Sequence, residues 1–285
     1  MNESTSKSAN AAPKQSAHES QMDLVRDRFT RTAEAFADFV LKERNFEAEH
    51  LLKLIAPRGS ERAIDVACGP GTLSRIFSAH VRSITGFDLT PAMLARARKE
   101  AASLGLKNFS AIRGNALRMP FADGSFDLAV TSYSIHHIPD GAAAIREIAR
   151  ILKPGGKLGL LDMVVSENSA AAKTCNDIEI ARDASHTRAL PVSEFEQLLA
   201  ACGLRIIQRD IEQHPRLFDT WMRTAGWKRG DAEYEATRKL LEASIPPDSA
   251  GLHARFLEKP PEGATDARPE IELFHTALFL VAEKQ

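Results

Sequence analysis

Two carboxylates in the first half of the chain stand at the ends of short apolar runs. The first, Asp65, is followed by a turn that contains Gly69 and Gly71, and the second, Asp88, closes its own run. The two glycines permit backbone conformations and close approaches that a Cβ would forbid. Because an apolar-periodic helix begins directly after the turn, a flat ligand can lie against the main chain at the helix N-terminus. The turn is therefore a candidate ligand-binding site.

Three histidines are candidates for moving a proton, should the chemistry require it. His136 and His137 follow an apolar run that ends at Ser132, and His186 lies in the polar stretch 182–188. A histidine suits proton transfer at neutral pH because it titrates in that range. We expect one of the adjacent pair to be structural. We take His137 and His186 as the candidate catalytic residues, with packing inside a loop as the alternative for each.

Short apolar runs alternate with helical patterns along most of the chain. The strand-like runs cover residues 63–66, 83–88, 109–113, 128–132, 158–163, 204–211 and 273–282. Alternation of strands with amphipathic helices predicts a parallel sheet that is covered by helices on both faces. The last run arrives only after a long excursion, and we expect it to be antiparallel to the others.

The chain divides into a tail, a helical segment and one large domain. Residues 1–22 are polar and predict a disordered tail. Residues 23–57 carry apolar residues at helical spacing and predict N-terminal helices. The remaining residues, 58–285, predict one domain with two cap segments, 164–192 and 212–271. Since both segments leave from the edge where parallel strands end, we expect them to cover the ligand site.

Composition excludes several classes of protein. A balance of 37 Lys and Arg against 38 Asp and Glu, with no basic block, argues against a nucleic-acid partner. The three cysteines are widely spaced, which predicts a reducing compartment and neither a disulfide framework nor a metal site. No apolar run approaches the ~20 residues that a membrane span needs, and no signal peptide is recognisable. We therefore expect a cytoplasmic protein without integral membrane association.

Four short motifs occur in order along the first half of the chain. They are Asp65-x-Ala67-x-Gly69-x-Gly71, Gly86-Phe87-Asp88, the block from Gly114-Asn115-Ala116 to Ser125-Phe126-Asp127, and Leu152-Lys153-Pro154-Gly155-Gly156. A single glycine motif is weak evidence, but four in order are specific. From about residue 62 to 163 the chain resembles a class I S-adenosylmethionine-dependent methyltransferase, similar to the branch of ubiquinone and menaquinone C-methyltransferases. The resemblance implies an α/β fold with a doubly wound, Rossmann-like sheet of seven strands, six parallel and one antiparallel, and helical cap insertions.

The resemblance also implies where S-adenosylmethionine binds. The turn from Asp65 to Gly71 would hold the methionine part, although Asp65 could instead tie the turn's own amides together. Asp88 would hold both ribose hydroxyls through its two carboxylate oxygens. Asn115 stands where the family usually has an aspartate at the adenine amine, and its side-chain oxygen can still accept a hydrogen bond. The implied cofactor-binding residues are Asp65, Ala67, Gly69, Gly71, Asp88, Leu89, Met93, Asn115, Ala116 and Ser132.

The reaction that the resemblance implies is methyl transfer to a small acceptor. We expect the acceptor to be apolar or aromatic and to be methylated on carbon or oxygen. A nicotinamide-dependent oxidoreductase shares the strand, turn and helix, although Ser74 replaces the last glycine of its motif. A nucleic-acid methyltransferase would carry an Asn/Asp-Pro-Pro-aromatic segment that residues 131–134 lack. A protein that binds S-adenosylmethionine without catalysis is the third alternative.

Overall fold

Seven long strands form a central sheet, and two strands of two residues each extend it. The computed structural model describes residues 11–258 and 268–285, with side chains from residue 17 onward. The strands are β1 (Arg62–Val66), β2 (Ser83–Asp88), β3 (Phe109–Arg113), β4 (Phe126–Ser132), β5 (Leu152–Val165), β6 (Leu190–Pro191), β7 (Leu204–Leu217), β8 (Arg255–Phe256) and β9 (Ile271–Lys284).

The long strands lie in the order β3-β2-β1-β4-β5-β9-β7. β1 to β5 pair with one another in parallel, and β9 is antiparallel to both β5 and β7. The predicted sheet of six parallel strands and one antiparallel strand is therefore confirmed. β7 is longer than predicted because β9 pairs with it along its whole length, from Leu204 opposite Lys284 to Leu217 opposite Glu272.

Ten α-helices accompany the sheet in the described part of the chain. They are α1 (Ala11–Arg31), α2 (Ala33–Glu43), α3 (Asn45–Ile55), α4 (Thr72–Phe77), α5 (Pro91–Ser103), α6 (Gly141–Ile151), α7 (Ser169–Arg182), α8 (Val192–Ala201), α9 (Phe218–Ala225) and α10 (Ala232–Ser244). Within the described residues, no helix is both long enough and apolar enough to cross a bilayer.

Alternate residues of each central strand enter two separate cores. Ile64 of β1 packs in the cluster that contains Ile148 of α6, whereas its neighbour Ala63 packs in the cluster that contains Leu51 of α3 and Phe77 of α4. Successive side chains of a strand point to opposite faces of the sheet. Helices therefore cover both faces, as the alternation of strands and helices predicts.

The two cap segments share a third core. Apolar residues of α7, α9 and α10 pack together with Ile271 and Leu273 at the start of β9. In this core Trp221 and Met222 of α9 are almost fully buried. The cap helices therefore use their apolar faces to attach to each other and to the sheet.

The N-terminal region differs from the expectation. Residues 11–22, which we expected within a disordered tail, form the first half of α1, while residues 1–10 lie outside the described part of the chain. Three helices precede β1, and Arg44 separates α2 from α3. The polar composition of this stretch is misleading because Gln21 and Met22 find partners far along the chain, described below.

Candidate active site

The carboxyl ends of four neighbouring strands form the floor of a large cavity. β3, β2, β1 and β4 are adjacent in that order and parallel, so the loops after them lie side by side. The cavity with its mouth encloses about 1110 Å³. Its floor includes Asn115 after β3, Asp88 at the end of β2, Gly69 after β1 and Ser132 at the end of β4. The sheet thus gathers the scattered motifs at one edge.

Three residues of the turn after β1 have backbone conformations in the left-handed region. Ala67, Gly69 and Gly71 have φ angles of 55°, 53° and 90°. A Cβ built on Gly69 would have no neighbour within 4 Å, so this part of the main chain faces open space. A Cβ on Gly71 would lie 3.3 Å from the Cβ of Ala97, so this glycine permits the close approach of α4 to α5. Gly71 does not line the cavity, and its predicted contact with a cofactor is not supported.

Asp88 is buried in the cavity floor and is held by backbone amides. Its Oδ2 accepts a hydrogen bond from Gly69 N at 2.8 Å, and its Oδ1 accepts one from Thr90 N at 2.7 Å. Burial raises the pKa of Asp88, and these hydrogen bonds act against the rise. Because each carboxylate oxygen can accept a further bond, Asp88 can receive two hydroxyl groups from the cavity.

Asp65 does not line the cavity, so its predicted contact with a cofactor is also not supported. Side chains alternate along β1, and Asp65 points to the same face as Ala63, toward α4. Its Oδ2 accepts hydrogen bonds from Ser74 N at 2.9 Å and from Ser74 Oγ at 2.7 Å. Burial raises the pKa of Asp65 to about 7. Asp65 therefore ties the start of α4 to β1.

The far side of the floor, beside β3, carries the residues predicted to surround an adenine. Leu89, Met93, Asn115 and Ala116 all line the cavity. The Asn115 Oδ1 accepts a hydrogen bond from Leu117 N at 2.9 Å, and its Nδ2 lies 2.9 Å from the sulfur of Met22. The side-chain oxygen of Asn115, Oδ1, can accept one further hydrogen bond from a ligand.

The roof of the cavity is an N-terminal cover formed by α1, α2 and α3. The cover contributes Met22, Val25, Phe29, Phe36, Val40, Arg44, Glu47 and Ala48 to the lining. No described residue of the two cap segments lines the cavity. The described residues of 164–192 and 212–271 therefore do not form the cover that we expected from these segments. The apolar faces of the cap helices are occupied by their own core, and α1 takes the place that we expected them to fill.

The cap segments instead anchor the cover. The Arg28 Nε donates a hydrogen bond to Asp183 Oδ2 at 2.7 Å, and Arg28 Nη2 donates to Thr224 O at 3.1 Å. Gln21 Nε2 donates to Ser185 O at 2.8 Å. Burial alone would raise the pKa of Asp183, but the Arg28 guanidinium holds it below its usual range. A buried ion pair thus joins α1 to the loop after α7.

His137 lies at the junction of floor and cover. It lines the cavity, and its ring packs edge-on against Phe29 of α1, with 5.2 Å between ring centroids. Its Nδ1 lies 3.0 Å from the carbonyl oxygen of Ser185, so Nδ1 carries the hydrogen and Nε2 carries a lone pair. Burial, with the neighbouring His136, lowers the pKa of His137 to about 3. His137 is therefore neutral at pH 7 and can accept a hydrogen bond.

Comparisons with known proteins identify the family. The family described as "Methyltransferase domain" matches residues 64–160. The uncharacterised methyltransferase YcgJ of Bacillus subtilis is 30% identical over 218 residues, which covers 76% of this chain and 85% of YcgJ. The chain is a class I S-adenosylmethionine-dependent methyltransferase. The crystal structure of YcgJ superposes on this methyltransferase with a TM-score of 0.73 at 27% identity, covering 83% of this chain and 99% of that one.

A further relative lies in the branch that the motifs indicate. The methyltransferase is 32% identical over 114 residues to a demethylmenaquinone methyltransferase of Listeria monocytogenes, which covers 39% of this chain and 48% of that protein. The predicted resemblance to methyltransferases is confirmed. The matched residues 64–160 contain the cavity floor, whereas the N-terminal cover precedes them.

The second candidate histidine lies outside the cavity of the methyltransferase. His186 does not line it, and its Nε2 donates a hydrogen bond to Asn176 Oδ1 at 2.8 Å. The same Asn176 oxygen accepts from Ala189 N at 2.7 Å, which fixes it as an acceptor. Burial, with the neighbouring His136, lowers the pKa of His186 to about 4. The predicted contact of His186 with the acceptor is not supported, because the anchored loop turns its ring back toward α7.

His136, the structural member of the adjacent pair, is bonded through Nδ1 to the buried carboxylate of Asp162. Its carbonyl oxygen accepts hydrogen bonds from Thr187 N and Thr187 Oγ1 at 2.8 and 2.7 Å. The expectation that one histidine of the pair is structural agrees with this arrangement. His136 thereby joins β5 to the loop that anchors α1.

Sequence reasoning missed a polar group on the cavity wall of the methyltransferase. Glu47 and Arg44 of the cover and Tyr133 after β4 all line the cavity. One signal could have revealed Glu47, because it shares the spacing of the apolar positions Leu51 and Ile55 on the inner face of α3. A carboxylate at such a position requires partners inside the protein.

Proposed function

We propose that this protein transfers a methyl group from S-adenosylmethionine to a small and largely apolar molecule, on carbon or on oxygen. The observation that carries the proposal is one continuous cavity with a polar floor and an apolar roof. The floor offers a carboxylate and exposed backbone at the ends of adjacent strands. The roof offers Val25, Phe29, Phe36 and Val40. Such a cavity suits a polar nucleoside beside an apolar partner.

The floor residues fit S-adenosylmethionine in an extended arrangement. Asn115, Asp88, Gly69 and Ser132 follow four adjacent strands, which span about 14 Å at ~4.8 Å per strand. We assign the adenine to Asn115 with Leu89, the ribose to Asp88, and the methionine part to the backbone around Gly69. The open space above Gly69 and the free acceptor capacity of Asp88 support this assignment.

When bound, S-adenosylmethionine supplies a methyl group on a positively charged sulfur, which is already activated for transfer. The protein therefore has to align the acceptor and exclude water. The N-terminal cover suits both tasks, because its lining is mainly apolar and α1 lies across the floor. His137 can orient a hydroxyl group through Nε2, but its pKa of about 3 makes it a weak base.

Turnover to S-adenosylhomocysteine tests the proposal. We expect purified protein to bind S-adenosylmethionine and not NAD, and to release S-adenosylhomocysteine with at least one phenol or quinol. Amines are tested beside them, and turnover of amines alone would contradict methylation on carbon or oxygen. The matched variant is Asp88→Ala, in which we expect turnover to fall at cofactor concentrations near the wild-type Kd. Binding of S-adenosylmethionine without turnover of any phenol, quinol or amine would favour a non-catalytic role, and absence of binding would contradict the proposal.

A further inference from the structure

Two carboxylates and two histidines meet where α3 packs against β7, the edge strand of the sheet. Asp210, Glu212 and His214 are alternate residues of β7, so their side chains point to the same face of the sheet. His50 of α3 meets them on that face, and its ring packs against Phe279 of β9 with 4.6 Å between ring centroids. None of these side chains lines the cavity. The cluster therefore lies outside the candidate active site.

Each carboxylate of the cluster lies beside a ring nitrogen. Asp210 Oδ2 is 3.0 Å from His50 Nε2, and Glu212 Oε1 is 3.7 Å from His50 Nδ1. The other oxygen of Glu212, Oε2, is 3.4 Å from His214 Nε2, a buried nitrogen without a hydrogen-bond partner among the described residues. A neutral imidazole carries a single hydrogen, so His50 can donate to only one of its two carboxylates. Glu212 thus has a ring nitrogen beside each oxygen and accepts a hydrogen bond from neither.

The cluster lacks a permanent positive charge. Among the described residues, only histidines lie within ion-pairing distance of Asp210 and Glu212. Arg216, the next residue on this face of β7, instead lies 3.6 Å from Glu47 Oε1. Two carboxylates that converge on one imidazole repel each other unless a cation lies between them. The cluster therefore presents negative charge and imidazole nitrogen together, which is the chemistry of a metal site.

The candidate ligand atoms are close enough to share one metal ion. One nitrogen of His50 and one oxygen each of Asp210 and Glu212 lie within 4.8 Å of one another. Zn²⁺ bonds such atoms at about 2.0–2.2 Å, so its ligands lie roughly 3–4 Å apart, and small side-chain rotations bring the three atoms into that range. A mixture of nitrogen and oxygen ligands favours divalent transition metals over Mg²⁺ and Ca²⁺, which prefer oxygen alone.

We propose that His50, Asp210 and Glu212 bind Zn²⁺ or a similar divalent transition-metal ion. The ion joins α3 of the N-terminal cover to β7, because one ligand comes from the helix and two come from the strand. Its charge neutralises the two carboxylates, and its binding stabilises the folded protein. The wide spacing of the cysteines argues against a thiolate site, and no cysteine takes part here. The proposed site does not depend on the proposed methyl transfer.

Titration calorimetry of the chelator-treated full chain with ZnCl₂ tests the site. We expect wild type to bind one Zn²⁺ per chain and no Mg²⁺, and Zn²⁺ to raise the melting temperature. His50→Phe keeps a ring against Phe279 and removes both nitrogens, so we expect it to bind Zn²⁺ at least about tenfold more weakly. Asp210→Asn, at a largely exposed position, should show a similar loss. His253→Ala is the matched control, because His253 forms an exposed pair with a single carboxylate, 2.9 Å from Asp248.

Absence of Zn²⁺ binding would overturn the proposal and leave His50 as an ion-pair partner only. Binding that is unchanged in His50→Phe and Asp210→Asn would also overturn it, since Zn²⁺ would then bind elsewhere. If neither variant folds, anomalous scattering from wild-type crystals soaked in ZnCl₂ decides. We expect a peak about 2 Å from atoms of His50, Asp210 and Glu212, and peaks only at other sites would overturn the assignment.

Discussion

The floor and the roof of the cavity are built in opposite ways. The floor uses backbone amides, left-handed turns and carboxylates at the ends of adjacent parallel strands, so its geometry is set by the sheet. The roof uses side chains of three helices, and it is held over the floor by Arg28 and Gln21, which bond to residues 155 and 164 positions away. The floor is therefore rigid by construction, whereas the roof depends on a few anchoring contacts.

This difference separates the tasks of binding and selection. The floor binds S-adenosylmethionine in our account, and its residues lie within the range 64–160 that matches the methyltransferase family. The roof provides the apolar lining, which faces the acceptor in our account. Changes in the roof should therefore alter which acceptor is methylated, and changes in the floor should alter cofactor binding.

Removal of the anchor should have the largest effect. Arg28→Ala leaves the buried Asp183 without its cation, and truncation of one partner of a buried pair costs about 3 kcal/mol or more. We expect faster hydrogen exchange along α1, a lower melting temperature and weaker cofactor binding. Arg26→Ala is the control, because Arg26 lies on the same helix and pairs with Asp23 at the surface. Equal exchange in the two variants would contradict the anchoring role.

Removal of the floor carboxylate should have the next largest effect. Asp88→Ala eliminates two acceptors for the ribose hydroxyls, so we expect binding of S-adenosylmethionine to weaken by about 2 kcal/mol, roughly 30-fold in Kd. Titration calorimetry measures this change, and the melting temperature without ligand checks folding, since Asp88 also holds Gly69 and Thr90. Asp177→Ala, at an exposed position of α7, should bind normally. An unchanged Kd for Asp88→Ala would remove this residue from the site.

The sequence predicts the floor far better than the roof, for a physical reason. Gly69, Asp88 and Asn115 act through local chain geometry at strand ends, so their spacing is visible in the sequence. Arg28 and Glu47 act through Asp183 and Tyr133, which lie far along the chain. The sequence of their helices carries no signal that identifies these partners. Asp65 and Gly71 belong to the floor motif, but the alternation of side chains along β1 and the packing of α4 on α5 turn them away from the cavity.

The smallest predicted effect concerns acid stability. The pKa of His186 is about 4 in the folded protein and 6.5 by its ordinary value, so the unfolded chain binds more protons between these pH values. The stability contributed by neutral His186 is present above pH 6.5 and is lost as the pH falls toward 4. We expect His186→Gln to lose less stability than wild type between pH 7 and 5, with turnover at pH 7 nearly unchanged. Identical pH profiles of the free energy of unfolding would contradict this account.

The most direct test of the central claim is a crystal structure with S-adenosylhomocysteine. We predict that both ribose hydroxyls bind the Asp88 carboxylate, that the adenine lies beside Leu89 and Asn115, and that Met22 and Phe29 of α1 lie over the ligand. A ligand bound elsewhere on the sheet edge would contradict the account of the floor. A ligand in this position with α1 released from Asp183 would contradict the account of the roof.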